Sequence, residues 1–466
     1  MKIRWSCLGA LVGASLLLAV PSVFAATEAD VETRIYDFPV LDFPYNNGRA
    51  PSMKQSMQMS NDFNYFVHNA WLDMVAEQGM HDWASQELPI YLFDFIAGSW
   101  PLGQGWLHEE WHRAVLGRRG IDSYNGIYDF SSSSMVSVSR VQDAALIALK
   151  REHPQELVRA HAAGFESQYE QNLEFEKHAF FNQHSPVMGA QLWLNHLGNI
   201  LYMDMCASTM SNTETDLANQ QEGANVARRD FTGFDCTAWT YDLFRPNEAY
   251  TARGVHPSGV GVDRYIKFSD LTTDEQRYLT RQRNLSLLNL MDPFLFGLNQ
   301  FETPSGKGYW NANLRHELTP FGYDIAANVF LKSSEGAAIF GALHTYRNDK
   351  ATSLGVDVTL PRYATQVFDK PVHITPRVFA WMQPDNLMFR DTSTKLGGLI
   401  SVRVDVSIEE GWEIYGELES KSKGWVAGNE YLDSKLAVRF GLTKVIQAPS
   451  RWKIAAPVAE KETLPQ

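Results

Sequence analysis

Two hydrophobic periods divide the chain. From Asn61 to about residue 300 the apolar positions recur three and four apart, the spacing of a helix that buries one face. From about Gly308 they alternate with polar positions instead. Tyr323, Ile325, Ala327, Val329 and Leu331 alternate with Asp324, Ala326, Asn328, Phe330 and Lys332, and Ile400, Val402, Val404, Val406 and Ile408 with Ser401, Arg403, Asp405 and Ser407. Successive side chains of a strand point to opposite faces, so this period predicts strands with one apolar and one polar face. Eight segments follow it: 308–318, 321–333, 336–346, 352–361, 371–383, 396–408, 411–421 and 434–446.

The earlier part resolves into helices and breaks. Residues 26–60, with Pro39, Pro44, Pro51 and the Asn46-Asn47-Gly48 turn, predict extended or irregular chain. The apolar segment Leu88 to Trp100 runs into the turn Gly103-Gln104-Gly105. Leu107, Trp111, Ala114 and Val115 then form a buried helical stripe, stopped by Gly117 and Gly120. Ser139 to Gln142 opens a helix through Leu149, and Pro154 starts another that reaches about Phe181. A further apolar helix covers Leu192 to Met205, and Thr272 to Glu275 caps a last one. The fold class expected is α+β: an α-helical domain over 26–305, an antiparallel sheet region over 306–447 and a polar tail over 448–466.

Strands of about ten residues, apolar on one side and charged on the other, have the pattern of a transmembrane β-barrel. The polar set Asp324, Lys332, Asp357, Arg377, Arg403, Asp405, Glu417 and Arg439 would then line and pair in a lumen. The last hairpin, Gly411 to Val445 around Gly424-Trp425-Val426-Ala427-Gly428-Asn429, resembles the closing hairpin of bacterial outer-membrane barrels. That resemblance implies an eight-stranded barrel and the outer-membrane lipid bilayer as a partner. A soluble sandwich or lipocalin-like barrel alternates too, with its apolar face inward.

The stretch with the most specific chemistry is His108-Glu109-Glu110-Trp111-His112. Residues four apart stack on one face of a helix, so His108 and His112 can meet a single ion. Glu109, on the adjoining edge, is placed to take a proton from a water that the ion polarises. This His-Glu-x-x-His pattern resembles that of the zincin metallopeptidases, which implies Zn²⁺ and peptide-bond hydrolysis. In glutamate-zincins a carboxylate from a later helix completes the ligand set. Glu166 is the first candidate, because it follows the small run Ala162-Ala163-Gly164 where helices can approach closely. Glu170 comes next and His196 is a further candidate. The metzincin extension is absent, since no Gly and His follow His112 at its spacing.

The N-terminus adds a compartment. Met1-Lys2-Ile3-Arg4, the apolar run Leu8 to Val20 and the small residues through Ala25 and Ala26 predict a secretory signal over residues 1–25. Cys7 falls within it, which leaves Cys206 and Cys236 as a disulfide pair outside the cytoplasm. A net charge of −13 argues against nucleic acid as a partner. The expectation is a zinc metallopeptidase of the bacterial outer membrane, its helical domain in the periplasm, acting on an envelope protein or peptide. The alternative is a non-enzymatic structural or transport barrel whose helical part plugs it.

Overall fold

The computed structural model describes residues 31–44, 50–80, 82–129, 137–182 and 188–449. The predicted signal over 1–25 and the tail beyond Pro449 lie outside the described residues. Among those residues are nine α-helices, α1 Met53–Glu77, α2 Trp83–Ala97, α3 Gln104–Arg118, α4 Asp143–Glu152, α5 Pro154–Phe181, α6 Gly189–Cys206, α7 Met210–Glu222, α8 Asp235–Phe244 and α9 Thr273–Ser286. Apart from the short pair β2 Tyr124–Asn125 and β3 Val138–Ser139, the strands form one antiparallel sheet. They are β1 Val31–Phe43, β4 Phe301–Glu302, β5 Gly308–Thr319, β6 Gly322–Ser333, β7 Ala338–Arg347, β8 Thr352–Thr359, β9 Tyr363–Val367, β10 Lys370–Pro384, β11 Thr394–Glu409, β12 Trp412–Lys421 and β13 Lys435–Pro449.

Each of the eight alternating segments becomes a strand. The sheet runs β1-β13-β12-β11-β10-β8-β7-β6-β5-β4, with β9 beside β10. The α+β class therefore holds, but the sheet is not closed into an eight-stranded barrel. Two strands outside the alternating region account for the difference. β1 pairs along the whole outer side of β13, from Val31↔Pro449 to Phe43↔Val438, and the two-residue β4 ends the opposite edge. Of the extended or irregular chain expected over 26–60, Val31–Phe43 is extended as β1, and the part from Met53 is instead the start of α1. Pro39 is accommodated because β1 is an edge strand and its register shifts between Pro39 and Leu41.

β1 also joins the N-terminal part of the chain to the C-terminal sheet, so the helices and strands share one packed body. α1 ties to β1 through Arg34–Asp73 (2.8 Å) and through Asn69, whose amide donates to the Tyr36 hydroxyl. Trp239 of α8 donates its indole N–H to the Thr319 carbonyl of β5. Two clusters of buried side chains fill the helical layer. One holds Trp106, Trp111, Leu146 and Leu157, and the other Phe165, Met203, Trp239 and Leu318.

The faces of the sheet are inverted relative to a soluble sandwich. Its polar side is turned inward, where charges pair: Arg377 with Asp357 (2.6 Å), Arg403 with Asp405 (2.7 Å) and Arg439 with Glu417 (3.0 Å). The apolar side is exposed, with Val378, Ile400 and Leu418 each more than half accessible. Among the described residues no helix is long and apolar enough to cross a membrane.

Candidate metal centre

α3 is buried from Trp106 to Gly117, so both imidazoles and both acids of the motif lie inside the protein. Trp106, Leu107, Trp111 and Val115 anchor the helix in the core and turn His108 and His112 toward α5 and α8. His112 Nδ1 lies 2.6 Å from the Ala160 carbonyl of α5. Donating that proton leaves Nε2 to face the centre, the arrangement that orients metal-binding histidines. Gly164 of α5 lets His108 sit against the helix. A Cβ at that position would fall 2.2 Å from His108 Nε2.

The third group is Asp235, the first residue of α8. Its Oδ2 lies 3.0 Å from His108 Nε2 and 3.4 Å from His112 Nε2. Tetrahedral ligands about 2.0–2.1 Å from a metal ion stand about 3.3 Å apart, close to the spacing of Asp235 Oδ2 from each imidazole nitrogen. Two imidazoles and one carboxylate are also a suitable donor set for that ion. Asp235 is held twice. Its backbone N–H donates to the Tyr202 hydroxyl of α6 (3.1 Å), and its neighbour Cys236 is disulfide-bonded to Cys206 at the end of α6.

The electrostatics describe a cation-seeking pocket. Burial works against the Asp235 carboxylate, yet the two imidazoles hold its carboxyl well below the usual range. Burial likewise opposes charge on His112, but Asp235 and Glu109 raise it to about 9. A proton on His112 therefore stands where a metal ion would place its charge. His108 is lowered, chiefly by burial. Glu109 is buried and pushed well above the carboxylate range by that burial, with Asp230, Asp235 and Glu110 adding their repulsion. Glu110, the other acid of the motif, is engaged elsewhere, pairing with Arg113 (2.6 Å) and accepting from the Asn125 amide (2.9 Å).

Glu166 is not beside the imidazoles. It forms a buried ion pair with Arg159 on its own helix and accepts the Gly428 backbone N–H (2.8 Å) from the β12–β13 loop. Glu170, the second candidate, lines a cavity between α5 and the sheet together with Glu174, Lys177 and Arg315. His196 lies in a separate buried cluster with Glu176 and Asp292. Asp235 carries no motif of its own. The usable hint in the sequence is an acid next to a disulfide cysteine at a helix start. Comparison with protein-family models, curated proteins and solved structures finds no match for the chain.

Proposed function

We propose that the chain is a zinc-dependent metallopeptidase of the bacterial outer membrane and periplasm. The observation that carries this reading is the convergence of His108, His112 and Asp235 within bonding range of one ion, with Glu109 on the next helical position. When bound at His108, His112 and Asp235, Zn²⁺ would polarise the peptide carbonyl and make a nearby water more acidic. Glu109 would accept a proton from the attacking water and return it to the departing amine nitrogen as the C–N bond breaks. Burial and the neighbouring Asp230 raise the proton affinity of Glu109, and the charge of a bound ion would favour its carboxylate form. Ala160 fixes the tautomer of His112, and the disulfide holds Asp235 in place.

Embedding in the bilayer is supported by the inverted sheet, because an exposed apolar face is what lipid requires of a barrel wall. Open strand edges are not tolerated in lipid. Here α1 packs on β1, α2 on α1, α6 on α2, the turn Pro293–Phe296 on α6, and β5 on that turn, so helices span the interval between the sheet edges. They expose Phe66, Leu92, Ile96, Leu201 and Phe296. In this reading lipid meets the apolar face of the sheet, and the helices and the Pro293–Phe296 turn cover its two edges.

The non-enzymatic reading, a barrel with a helical plug, draws on ties between the helices and the polar face, such as Lys54 of α1 with Glu417 of β12. One experiment addresses both chemistry and place. Outer membranes carrying the chain should keep it through an alkaline carbonate wash and hydrolyse peptides, whereas Glu109→Gln should be retained equally and be inactive. Release by the wash would overturn the embedding, and full activity of Glu109→Gln would overturn the mechanism.

A further inference from the structure

Away from the His108–His112–Asp235 centre, a second group of buried ligating side chains meets where α5, α6 and β5 pack together. Glu176 of α5, His196 of α6 and Asp292, just before the Pro293–Phe296 turn, each offer one ligand atom within 4.8 Å of the others. All three are buried, and His196 has no solvent-accessible surface. Neither His196 ring nitrogen has a hydrogen-bond partner, and neither does Asp292 Oδ2. Leaving both nitrogens of a fully buried imidazole unpaired is unfavourable, so something should satisfy them.

The spacing indicates what kind of group fits. His196 Nε2 and Asp292 Oδ2 are 3.8 Å apart, too far for a direct hydrogen bond. Two metal–ligand bonds of about 2.1 Å bridge that distance at an open angle. The remaining contacts are already made. Asp292 Oδ1 accepts the Phe294 backbone N–H (3.0 Å), Glu176 Oε2 accepts the Asn313 amide (2.8 Å), and Glu176 Oε1 pairs with Arg315 Nη2 (2.5 Å). Arg315 also donates to the Tyr169 carbonyl and stays 3.9 Å from Asp292 Oδ2. The Arg315 guanidinium thus pairs closely with Glu176 and more distantly with Asp292, whose Oδ2 faces the gap with the His196 imidazole.

We propose that Glu176, His196 and Asp292 hold a second divalent transition-metal ion, distinct from the one at His108, His112 and Asp235. One imidazole with two carboxylates suits a borderline ion such as zinc, whereas calcium and magnesium prefer oxygen-only shells. The ion would pin α5 and α6 to the Pro293–Phe296 turn. α5 carries Gly164 and Ala160, and α6 carries Tyr202 and Cys206, so the second site would brace the supports of the first.

The test is zinc stoichiometry by elemental analysis on the full chain, equilibrated with Zn²⁺ and freed of excess. Wild type should hold two equivalents. His196→Gln and Asp292→Asn should each hold one, and His108→Ala/His112→Ala should hold the other one. In that double variant, zinc should still raise the midpoint of thermal unfolding, and adding Asp292→Asn should abolish the rise. The Asp292→Asn change keeps side-chain volume, which provides a readout should His196→Gln not fold. One equivalent in wild type, lost only in His108→Ala/His112→Ala, would overturn the second site and leave the first standing. The converse result, one equivalent lost only in Asp292→Asn, would leave the second standing alone.

Discussion

Replacing Gly164 by alanine separates metal binding from stability. The new Cβ would lie 2.2 Å from His108 Nε2, 2.3 Å from Cε1 and 2.5 Å from Cδ2. Ordinary contact between such atoms begins near about 3.5 Å, so the ring must move by about 1.3 Å. Ligand positions in a metal site tolerate about 0.2 Å, several times less than that displacement. The α5 backbone is poorly placed to retreat instead, since Ala160 and Ala163 are fully buried beside it and Ala160 holds His112. Zinc affinity should therefore fall by at least about a hundredfold, the upper end of the loss caused by altering groups behind a ligand. Stability should change little by comparison. Alanine improves helix propensity by about 1 kcal/mol, against about 1–3 kcal/mol of overpacking. Gly198→Ala on α6 is the control, because nothing lies within 4 Å of its added Cβ. Competition with a chromophoric chelator gives the affinity and thermal unfolding the stability. Gly164→Ala binding zinc within a few-fold of wild type would refute the reasoning.

Two further outcomes follow from the surroundings of the centre. Removing the Cys206–Cys236 bridge, which joins residues 30 apart, should cost about 3–4 kcal/mol of stability and weaken zinc binding through Asp235; unchanged zinc affinity in Cys206→Ser/Cys236→Ser would show that the bridge does not position the carboxylate. Burial raises Glu222 from the ordinary 4.5 to about 7, so the folded chain keeps a proton that the unfolded chain has lost. That contribution to stability is full below about pH 4.5, declines as pH rises to about 7 and is absent above it, amounting to up to about 3 kcal/mol. Glu222→Gln should flatten this part of the curve in urea titrations from pH 4.5 to 7.5, and an unaltered slope would assign it to other groups.

The parts of this fold that could be read from sequence are those governed by local period. A strand with one apolar face repeats at two, so all eight segments from 308 to 446 were recognisable, with ends within a few residues of the observed strands. β1 was not, because its partner β13 lies at the other end of the chain and its prolines read as breaks. Closure failed for the same reason, since the edges of the sheet are set by β1 and β4 rather than by the alternating region. The site divides in a similar way. The placement of His108, Glu109 and His112 follows from one turn of helix. Asp235 reaches them only because α8 packs on α5 and is tied to α6. Glu166 drew notice through the small residues before it, and those residues do allow close packing. At that point they admit the His108 ring at Gly164, while Glu166 turns to Arg159 and the β12–β13 loop.

The central claim is that Asp235 completes a metal centre with His108 and His112. The most direct measurement is zinc affinity of the purified chain with Asp235→Ala set beside Glu166→Ala, each checked for folding by circular dichroism. Asp235→Ala should abolish the tight equivalent that His108→Ala also removes, and Glu166→Ala should retain it despite lower stability. Full binding by Asp235→Ala, or loss in Glu166→Ala alone, would contradict it.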